Sequence, residues 1–199
     1  MRSYSQHEED VYLWNYIKKH KLDIPKTFIE LGACDGTNLS NCRLFAEQGW
    51  SGICVEANPN YYKDLFLLYK DRPDVECLNA AVIPEHMEGT HVEFNIYPDF
   101  IDHSGIHHYE KHSPCVKMEI ETVKYKHLNL DKVGLLSIDI EGMDTFILTD
   151  VLLSDLKPEF IIIESNTLEE RRHQVDLLNI DYDIINILDV NTIWKRREQ

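Results

Sequence analysis

The chain has 199 residues, a length that fits one domain able to bury a core without disulfides or metals. Its 43% hydrophobic and 28% charged residues are typical of a folded globular protein. Acidic residues outnumber basic residues 35 to 20, and the formal charge of −15 argues against a nucleic-acid partner, because phosphate contacts need clustered Lys and Arg.

Cysteine spacing and hydropathy indicate the expected cellular setting. The five cysteines contain no CxxC pair and most of them lie in apolar runs, so we predict that they are reduced. The N-terminus does not resemble a signal peptide, and no apolar run reaches the roughly 18 residues that a membrane span needs. We therefore expect one cytoplasmic domain over residues 1–199, with no membrane span.

The first predicted element is an N-terminal helix, because Val11, Trp14 and Ile17 have helical spacing. Ser5 and Glu8 have the spacing of a capping box at its start. Strands and helices then alternate, with a strand at 27–33, a helix at 38–49, a strand at 51–57, a helix at 59–69 and a strand at 75–82.

Residues 84–122 interrupt this alternation and are predicted to be a small insertion that serves the functional site. Two strand-like runs, 91–97 and 115–122, flank a histidine-rich loop within it. Alternation resumes with a strand at 134–140, a helix at 143–153, a strand at 158–165, a helix at 168–178 and closing runs at 182–190 and 192–198.

The strand patterns predict the sheet type. Runs such as FIIIE and LLSIDI have almost no polar interruption, as in a parallel sheet with helices on both faces. The short DVNT connection forces the last two runs to pair as a hairpin, which requires one antiparallel strand. We predict an α/β, Rossmann-like doubly wound methyltransferase fold with a mostly parallel seven-stranded sheet and a terminal antiparallel strand.

The turn after the first strand predicts the ligand, because ligands of such sheets bind at the carboxyl ends of the strands. It carries Glu30, Gly32, Asp35 and Gly36 but lacks the GxGxxG pattern that admits a pyrophosphate. Its acidic residues favour a cationic ligand. Glu56 follows Gly36 by 20 residues and closes the second strand, where a carboxylate can accept hydrogen bonds from both ribose hydroxyls. S-adenosylmethionine, a nucleoside with a positively charged tail, satisfies both requirements.

Six segments stand out as motifs, namely YSQHEED, FIELGACDGTNLSN, GWSGICVEANP, LNAAV, LLSIDIEGMD and PEFIIIE. In this order they resemble the motifs of the FkbM family of S-adenosylmethionine-dependent methyltransferases. The resemblance covers about 5–164 and is weak in the insertion, apart from His103 and Ser104. It implies O-methylation of hydroxyl groups, often on sugars, by domains that often accompany glycosyltransferases.

Carried over to this chain, the resemblance implies a specific set of cofactor residues. These are Gln6, Glu30, Gly32, Ala33, Asp35, Gly36, Asn38, Glu56, Ala57, Asn58, Asn79, Ala80 and Asp139. Within the set, Glu56 would hold the ribose, and Asn79 with Ala80 would border the adenine. Gln6 and Asp10 would help to close the site, although a helix cap and a surface acid explain them almost as well.

Three acidic residues are candidates for catalysis and acceptor binding. Asp139 and Glu141 occupy alternate positions of the predicted strand 134–140, which would place them on one face, and Glu164 ends the next strand. We predict Asp139 as the general base or as the residue that orients the attacking hydroxyl, with Glu141 assisting and Glu164 binding the acceptor. The alternative is that these acids only fix loops at the strand ends.

The histidine-rich loop supplies further candidates, since a histidine can titrate near neutrality. His103, His107, His108 and His112 lie within ten residues, and we select His108 as a second candidate base and His103 with Ser104 as acceptor contacts. A polar surface loop is the alternative. Asp139, Glu141 and Glu164 would also suit magnesium or manganese, but no spacing signature requires a metal, which stays unassigned.

The sequence therefore favours methyl transfer to a sugar hydroxyl of a glycan or glycoside, for instance of a deoxyhexose such as rhamnose. Fusion or association with a glycosyltransferase is the expected partnership. One alternative is a nicotinamide-dependent sugar oxidoreductase or epimerase, which the missing third glycine and the absence of a YxxxK pair oppose. The other is a partner module that has kept the fold without the chemistry.

Overall fold

A computed structural model describes residues 1–97, 104–106 and 115–198 of the chain. The first part contains α1 (Glu9–His20), β1 (Thr27–Leu31), α2 (Arg43–Glu47), β2 (Ser51–Val55), α3 (Pro59–Tyr69) and β3 (Val75–Leu78). The middle contains β4 (Ala81–Val82), β5 (His91–Ile96), β6 (Val116–Val123) and a short 3-10 helix (Tyr125–His127). The last part contains β7 (Leu135–Ile138), α4 (Asp144–Leu153), β8 (Phe160–Glu164), α5 (Leu168–Leu178), β9 (Tyr182–Leu188) and β10 (Asn191–Arg196).

The main sheet has seven strands in the order β3-β2-β1-β7-β8-β10-β9. The pairs from β3 to β8 are parallel, whereas β10 is antiparallel to both of its neighbours, β8 and β9. The short DVNT connection makes β9 and β10 a hairpin, as predicted. The predicted α/β doubly wound sheet with one antiparallel strand is therefore confirmed.

Side-chain alternation along β1 shows how the sheet separates two apolar layers. Phe28 packs into a cluster with residues of α1, α2 and α3 on one face. Its neighbours Ile29 and Leu31 belong to a second cluster with residues of α4 and α5 on the other face. Because successive side chains of a strand point to opposite faces, a short apolar strand can supply both layers.

The predicted strand 75–82 is wrong as a single element. β3 ends at Leu78, and β4 joins a separate three-stranded sheet in which β6 pairs with both β4 and β5. At the break, the Asn79 side-chain amide donates hydrogen bonds to the carbonyl oxygens of Glu56 (2.8 Å) and Ala57 (3.1 Å). These bonds fix the point at which the chain leaves the main sheet. The two strands predicted in the insertion do form, as β5 and β6, and pair antiparallel.

The predicted capping box at α1 is also wrong. Glu8 has a left-handed backbone with a φ of 65° and makes no side-chain cap. The Ser5 hydroxyl instead donates to the buried Asp10 carboxylate at 2.9 Å, which also accepts from the Ser3 hydroxyl and the Tyr4 N–H. The N-terminal segment is therefore folded around one acid rather than capped by two residues.

Trp14, Trp50 and Trp194 are all buried, and the five cysteines are free thiols. Among the described residues, no helix has both the length and the apolar character that crossing a bilayer requires.

Gly32 and Gly49 offer a matched test of close packing, because both have left-handed backbones with φ of 81° and 84°. A Cβ on Gly32 would lie 1.7 Å from the carbonyl oxygen of Asp139, whereas a Cβ on Gly49 would meet nothing within 4 Å. We expect Gly49→Ala to lower the free energy of unfolding by about 1 kcal/mol through backbone strain alone. Gly32→Ala should lower it by about 3 kcal/mol or more, because β1 and the loop after β7 must also separate. Urea unfolding measures both values, and equal losses would contradict this assignment.

Candidate functional site

A pocket lies at the carboxyl ends of β1, β2 and β7 and is bordered by the small sheet. It has a volume of about 800 Å³, counted out to its opening. Its walls are formed by Gly32, Cys34, Asn38, Leu39, Val55, Glu56, Ala57, Tyr61, Ala80, Ala81, Val82, Phe94, Ser104, Ile106, Asp139, Ile140 and Glu141. The edge of the sheet where a doubly wound fold binds ligands therefore carries both apolar groups and carboxylates.

The sequence-predicted cofactor residues divide into two groups. Gly32, Asn38, Glu56, Ala57, Ala80 and Asp139 line the pocket. Gln6, Glu30, Ala33, Asp35, Gly36, Asn58 and Asn79 are not part of its wall. Contacts of the second group show what most of these side chains do instead.

Glu30 is buried under the turn and does not face the pocket. Its carboxylate accepts hydrogen bonds from the Ser40 hydroxyl (2.9 Å) and from the backbone N–H groups of Asn41 (2.8 Å) and Cys42 (3.1 Å). These bonds hold 40–42 outside a helix, which explains why α2 begins only at Arg43 and the predicted helix 38–49 is too long. Burial raises the pKa of Glu30 to about 7, although the hydrogen bonds oppose the shift.

Asp35 closes the turn itself. One of its oxygens accepts from the N–H groups of Thr37 (2.8 Å) and Asn38 (2.7 Å), and the other accepts from the Asn38 side-chain amide (2.6 Å). A carboxylate that accepts three protein hydrogen bonds is positioned to stabilise a loop. These bonds give Asp35 a role in shaping the turn, and its position beside the cofactor stays a prediction.

The two glycines of the turn are required by packing. The missing side chain of Gly32 makes room for the carbonyl oxygen of Asp139. A Cβ on Gly36 would lie 2.6 Å from Leu65 and 2.9 Å from Leu68, both on α3. Both glycines also have positive φ, so the turn needs glycine at these positions before any ligand is considered.

Glu56 is the acid that the pocket and the sequence pattern both identify. Only 8% of its surface is exposed, and its two oxygens each accept one backbone N–H, from Cys34 (2.8 Å) and Asn58 (2.7 Å). A carboxylate oxygen can accept more than one hydrogen bond, so both oxygens keep acceptor capacity for a ligand. Burial raises the pKa of Glu56 to about 7, against the effect of these N–H groups.

Three more acids converge near the end of β7. One carboxylate oxygen from each of Asp139, Glu141 and Glu164 lies within 4.8 Å of the other two. The prediction that strand alternation places Asp139 and Glu141 on one face is wrong, because β7 ends at Ile138 and Glu141 has a left-handed backbone with a φ of 52°. A loop, and not strand alternation, brings these side chains together.

Asp144 holds this loop in place. Its carboxylate accepts from the N–H groups of Ile140 and Gly142, each at 3.1 Å. The Asp139 carboxylate, by contrast, accepts no hydrogen bond from the described residues. Burial raises its pKa well above the usual value, and nearby negative charges, first that of Glu164, add to the shift. The ionised Asp139 carboxylate is therefore a stronger base than that of an ordinary aspartate.

The small sheet completes the pocket from the opposite side. Asn95 in β5 exchanges backbone hydrogen bonds with Gly105 at 2.9 and 3.1 Å, which places 104–106 beside Phe94. Ser104, predicted as an acceptor contact, lines the pocket and accepts a hydrogen bond from the Tyr97 N–H at 3.3 Å. The predictions for His103, His107, His108 and His112 concern positions outside the described residues.

Sequence reasoning missed the apolar half of the wall, including Leu39, Phe94 and Ile106. Alternation in the run 91–97 was the available signal for Phe94, but it indicated a strand without indicating what the strand covers. Tyr61 of α3 also lines the pocket, whereas Tyr69 of the same helix is buried in the core. Gln6 is exposed and lies outside the pocket wall.

Comparisons with known proteins agree with this geometry. A family model described as "Methyltransferase FkbM domain" matches residues 30–189. No curated protein matches the chain significantly in sequence.

Solved structures share the fold at low sequence identity. The candidate methyltransferase yhhF from Escherichia coli superposes with a TM-score of 0.52 at 9% identity, covering 100% of this chain and 90% of that one. A candidate RNA methyltransferase from Pyrococcus horikoshii gives 0.51 at 10% identity, covering 96% and 83%. The bifunctional kinase-methyltransferase WbdD gives 0.51 at 12% identity, covering 98% of this chain but 40% of its own length. At these identities the likeness shows the fold alone.

The buried Glu30 carboxyl predicts a pH-dependent contribution to stability. Its pKa of about 7 lies above the usual value of 4.5, so between these values the native state keeps a proton that the unfolded state releases. The contribution of Glu30 to the free energy of unfolding is thus fully present below about pH 4.5. It is lost as pH rises through about 7, and the free energy of unfolding falls by about 3 kcal/mol in total. Unfolding of the wild type and of Glu30→Gln across this range isolates the effect. A difference between the two proteins that does not change with pH would contradict it.

Proposed function

The chain belongs to the FkbM family of methyltransferases, and on this premise we propose that it transfers a methyl group from S-adenosylmethionine to a sugar hydroxyl. The observation that carries the proposal is the position of Glu56 and Asp139 in one pocket at the carboxyl edge of the sheet. Glu56 would bind the nucleoside and Asp139 would act on the acceptor.

The pocket residues fit the nucleoside half of this cofactor. Each Glu56 oxygen keeps acceptor capacity after its one backbone hydrogen bond, which matches the two hydroxyl donors of a ribose. Next to Glu56, Val55, Ala80 and Val82 supply an apolar wall suited to the flat face of a base.

The negative charge of the pocket fits the half of the cofactor that carries the cationic sulfur. Glu56, Asp139 and Glu141 line one cavity, and no Lys or Arg belongs to its wall as the described residues define it. A cationic sulfur is attracted to such a site, whereas a pyrophosphate is repelled. This supports methyl transfer over the alternative of a nicotinamide-dependent oxidoreductase.

Asp139 is the proposed proton acceptor. When bound, S-adenosylmethionine supplies a methyl group activated by the positive charge on its sulfur. The Asp139 carboxylate would accept the proton of the attacking hydroxyl, and its raised pKa makes the ionised form a stronger base than an ordinary aspartate. The pocket walls would align the hydroxyl and exclude water from the reaction.

A sugar is the acceptor class that the polar groups around Asp139 favour. Carboxylates accept hydrogen bonds from sugar hydroxyls, and Glu141, Glu164 and the Ser104 hydroxyl would bind those that do not react. His103 and His108 remain proposed additions to this set. The carboxylates would also suit a divalent metal, but the proton transfer proposed for Asp139 does not need one.

The environment of Asp139 argues against the third alternative, a partner module without catalytic activity. Such a module has no need for a carboxylate that is partly buried, free of hydrogen bonds from the described residues and raised in pKa, as Asp139 is. Perturbed carboxyl groups in pockets are typical of functional sites. A glycosyltransferase fused to or associated with this domain remains the proposed partner.

Glu56→Gln tests the nucleoside site. We expect wild-type affinity for S-adenosylhomocysteine to rise as pH increases from about 5.5 to about 7 and then to level off, because the ionised carboxylate accepts more hydrogen bonds. The variant should bind roughly tenfold or more weakly, with little pH dependence. Calorimetric titration measures both, with NAD as the control ligand. Binding of NAD and not of S-adenosylhomocysteine would refute the proposal.

Asp139→Asn tests the chemistry. We expect the turnover number to fall by roughly 100-fold or more, because the amide cannot accept the hydroxyl proton, while affinity for S-adenosylhomocysteine stays within about tenfold. Transfer of isotopically labelled methyl to a panel of glycosides, including deoxyhexosides, provides the assay. Asp155→Asn, on an exposed residue outside the pocket wall, is the control and should keep full activity. Unchanged turnover in Asp139→Asn would exclude Asp139 as the base.

A further inference from the structure

Five acids from three neighbouring strand ends meet around the pocket. Asp139 lies among them, Glu56 follows β2, Glu141 and Asp144 lie beyond β7, and Glu164 ends β8. The negative charges of the other four all act on Asp139. Among the described residues, no Lys or Arg forms an ion pair with Glu56, Asp139 or Asp144. A cation bound in the pocket would therefore be attracted by several carboxylates at once.

The proposed reaction brings the sulfur of the methyl donor close to these acids. The Asp139 carboxylate must lie about 2.7 Å from the attacking hydroxyl, and that oxygen must lie about 3 Å from the methyl carbon. Because the methyl carbon is bonded to sulfur, the carboxylate is then no more than roughly 8 Å from the sulfonium charge. Carboxylate oxygens of Glu141 and Glu164 lie within 4.8 Å of that of Asp139. The positive charge of the donor is therefore within reach of all three carboxylates.

Methyl transfer removes this positive charge. The hydroxyl oxygen forms a bond to the methyl carbon, the carbon–sulfur bond breaks, and its electron pair stays on the sulfur, which becomes uncharged. The proton of the hydroxyl moves to the Asp139 carboxylate. The product S-adenosylhomocysteine is thus left beside a protonated Asp139. The positive charge on sulfur and the negative charge on Asp139 that attracted each other are both gone.

We propose that the acids around Asp139 make the pocket bind S-adenosylmethionine more tightly than S-adenosylhomocysteine, so that loss of the sulfonium charge promotes release of the product. This inference rests on the proposed function, because it concerns the donor and the product of the same reaction. The two ligands differ by one methyl group and one positive charge. A pocket that held only their shared nucleoside and amino-acid parts would bind both equally. Asp139 and Glu141 determine the preference, since both carboxylates line the pocket.

Three ligands separate the effect of charge from that of the methyl group. Sinefungin carries an ammonium group on a carbon that replaces the methylated sulfur, so it has the positive charge without the methyl group. In calorimetric titrations at about pH 8, we expect S-adenosylmethionine and sinefungin to bind tenfold or more tightly than S-adenosylhomocysteine, because the attraction of one ionised carboxylate at roughly 8 Å is worth at least this factor in affinity. Tighter binding of S-adenosylmethionine alone would assign the preference to methyl contacts and contradict the proposal.

Two isosteric variants test the residues. Glu141→Gln and Asp139→Asn each remove one negative charge and keep the size of the side chain. Each should reduce the preference for the charged ligands by about threefold or more, and should change the affinity for S-adenosylhomocysteine by no more than about twofold. The retained affinity for S-adenosylhomocysteine also shows that the pocket of the variant is folded. Asp155→Asn removes an exposed charge outside the pocket wall and should keep the full preference.

The pH dependence of the preference provides a second readout. Burial, with neighbouring negative charges, raises the pKa of Asp139 well above its usual value, and burial raises the pKa of Glu56 to about 7. The Cys34 thiol is a further titratable group near Asp139, and its pKa, raised by burial to about 12, keeps it uncharged. The acids lose their charge as pH falls, so the preference should decline between about pH 8 and about pH 5.5. A preference caused by shape would stay constant over this range.

The outcomes distinguish this inference from the function on which it rests. A wild type that binds none of the three ligands overturns the proposed function together with the preference. Equal affinities for the three ligands, or tightest binding of S-adenosylhomocysteine, overturn only the preference. A preference that Glu141→Gln and Asp139→Asn both leave intact shows that these acids do not cause it, which overturns the inference as well.

Discussion

Hydrogen bonds from backbone N–H groups to carboxylates hold the loops at the carboxyl edge of the sheet. Glu30 binds the segment before α2, Asp35 closes the turn after β1, Glu56 joins that turn to the start of α3, and Asp144 binds the loop after β7. When the acid is ionised, each bond is between a charged acceptor and an amide, which makes it stronger than a bond between neutral groups. Beyond the ends of the strands, hydrogen bonds to these acids replace the regular backbone hydrogen bonds of the sheet. The pocket therefore has a defined shape.

This arrangement buries several acids in a small volume, and burial raises the pKa values of Glu30, Glu56 and Asp139, with nearby negative charges adding to the shift most clearly at Asp139. The acids divide by what they bind. Glu30 is fully engaged by the protein, Glu56 combines backbone bonds with a place in the pocket, and Asp139 accepts none from the described residues. Neighbouring residues of one chemical type thus differ in how far the protein itself occupies their oxygens, from Glu30 through Glu56 to Asp139.

The sequence was sufficient for the sheet and for part of the site. Apolar runs and the short DVNT connection predicted the mostly parallel sheet with one antiparallel strand, and the spacing from Gly36 to Glu56 identified an acid that lines the pocket. The burial of Glu30 could not be predicted, because a strand carboxylate looks the same in sequence whether it faces a ligand or a loop. The run 75–82 contains no signal for the break at Asn79, since the apolar residues continue although the chain changes sheets. Leu39 escaped notice because left-handed backbone geometry at leucine has no sequence pattern.

The place of β10 in the sheet has a consequence for how the protein is made. β10 lies between β8 and β9, so β8 has a neighbour only on its β7 side until residues 191–196 have been synthesised. While α5 and β9 emerge from the ribosome, this edge of β8 has no strand to pair with. An unpaired strand edge of this kind invites association with other chains. β10 therefore covers a strand edge as well as adding Ile193 and Trp194 to the core.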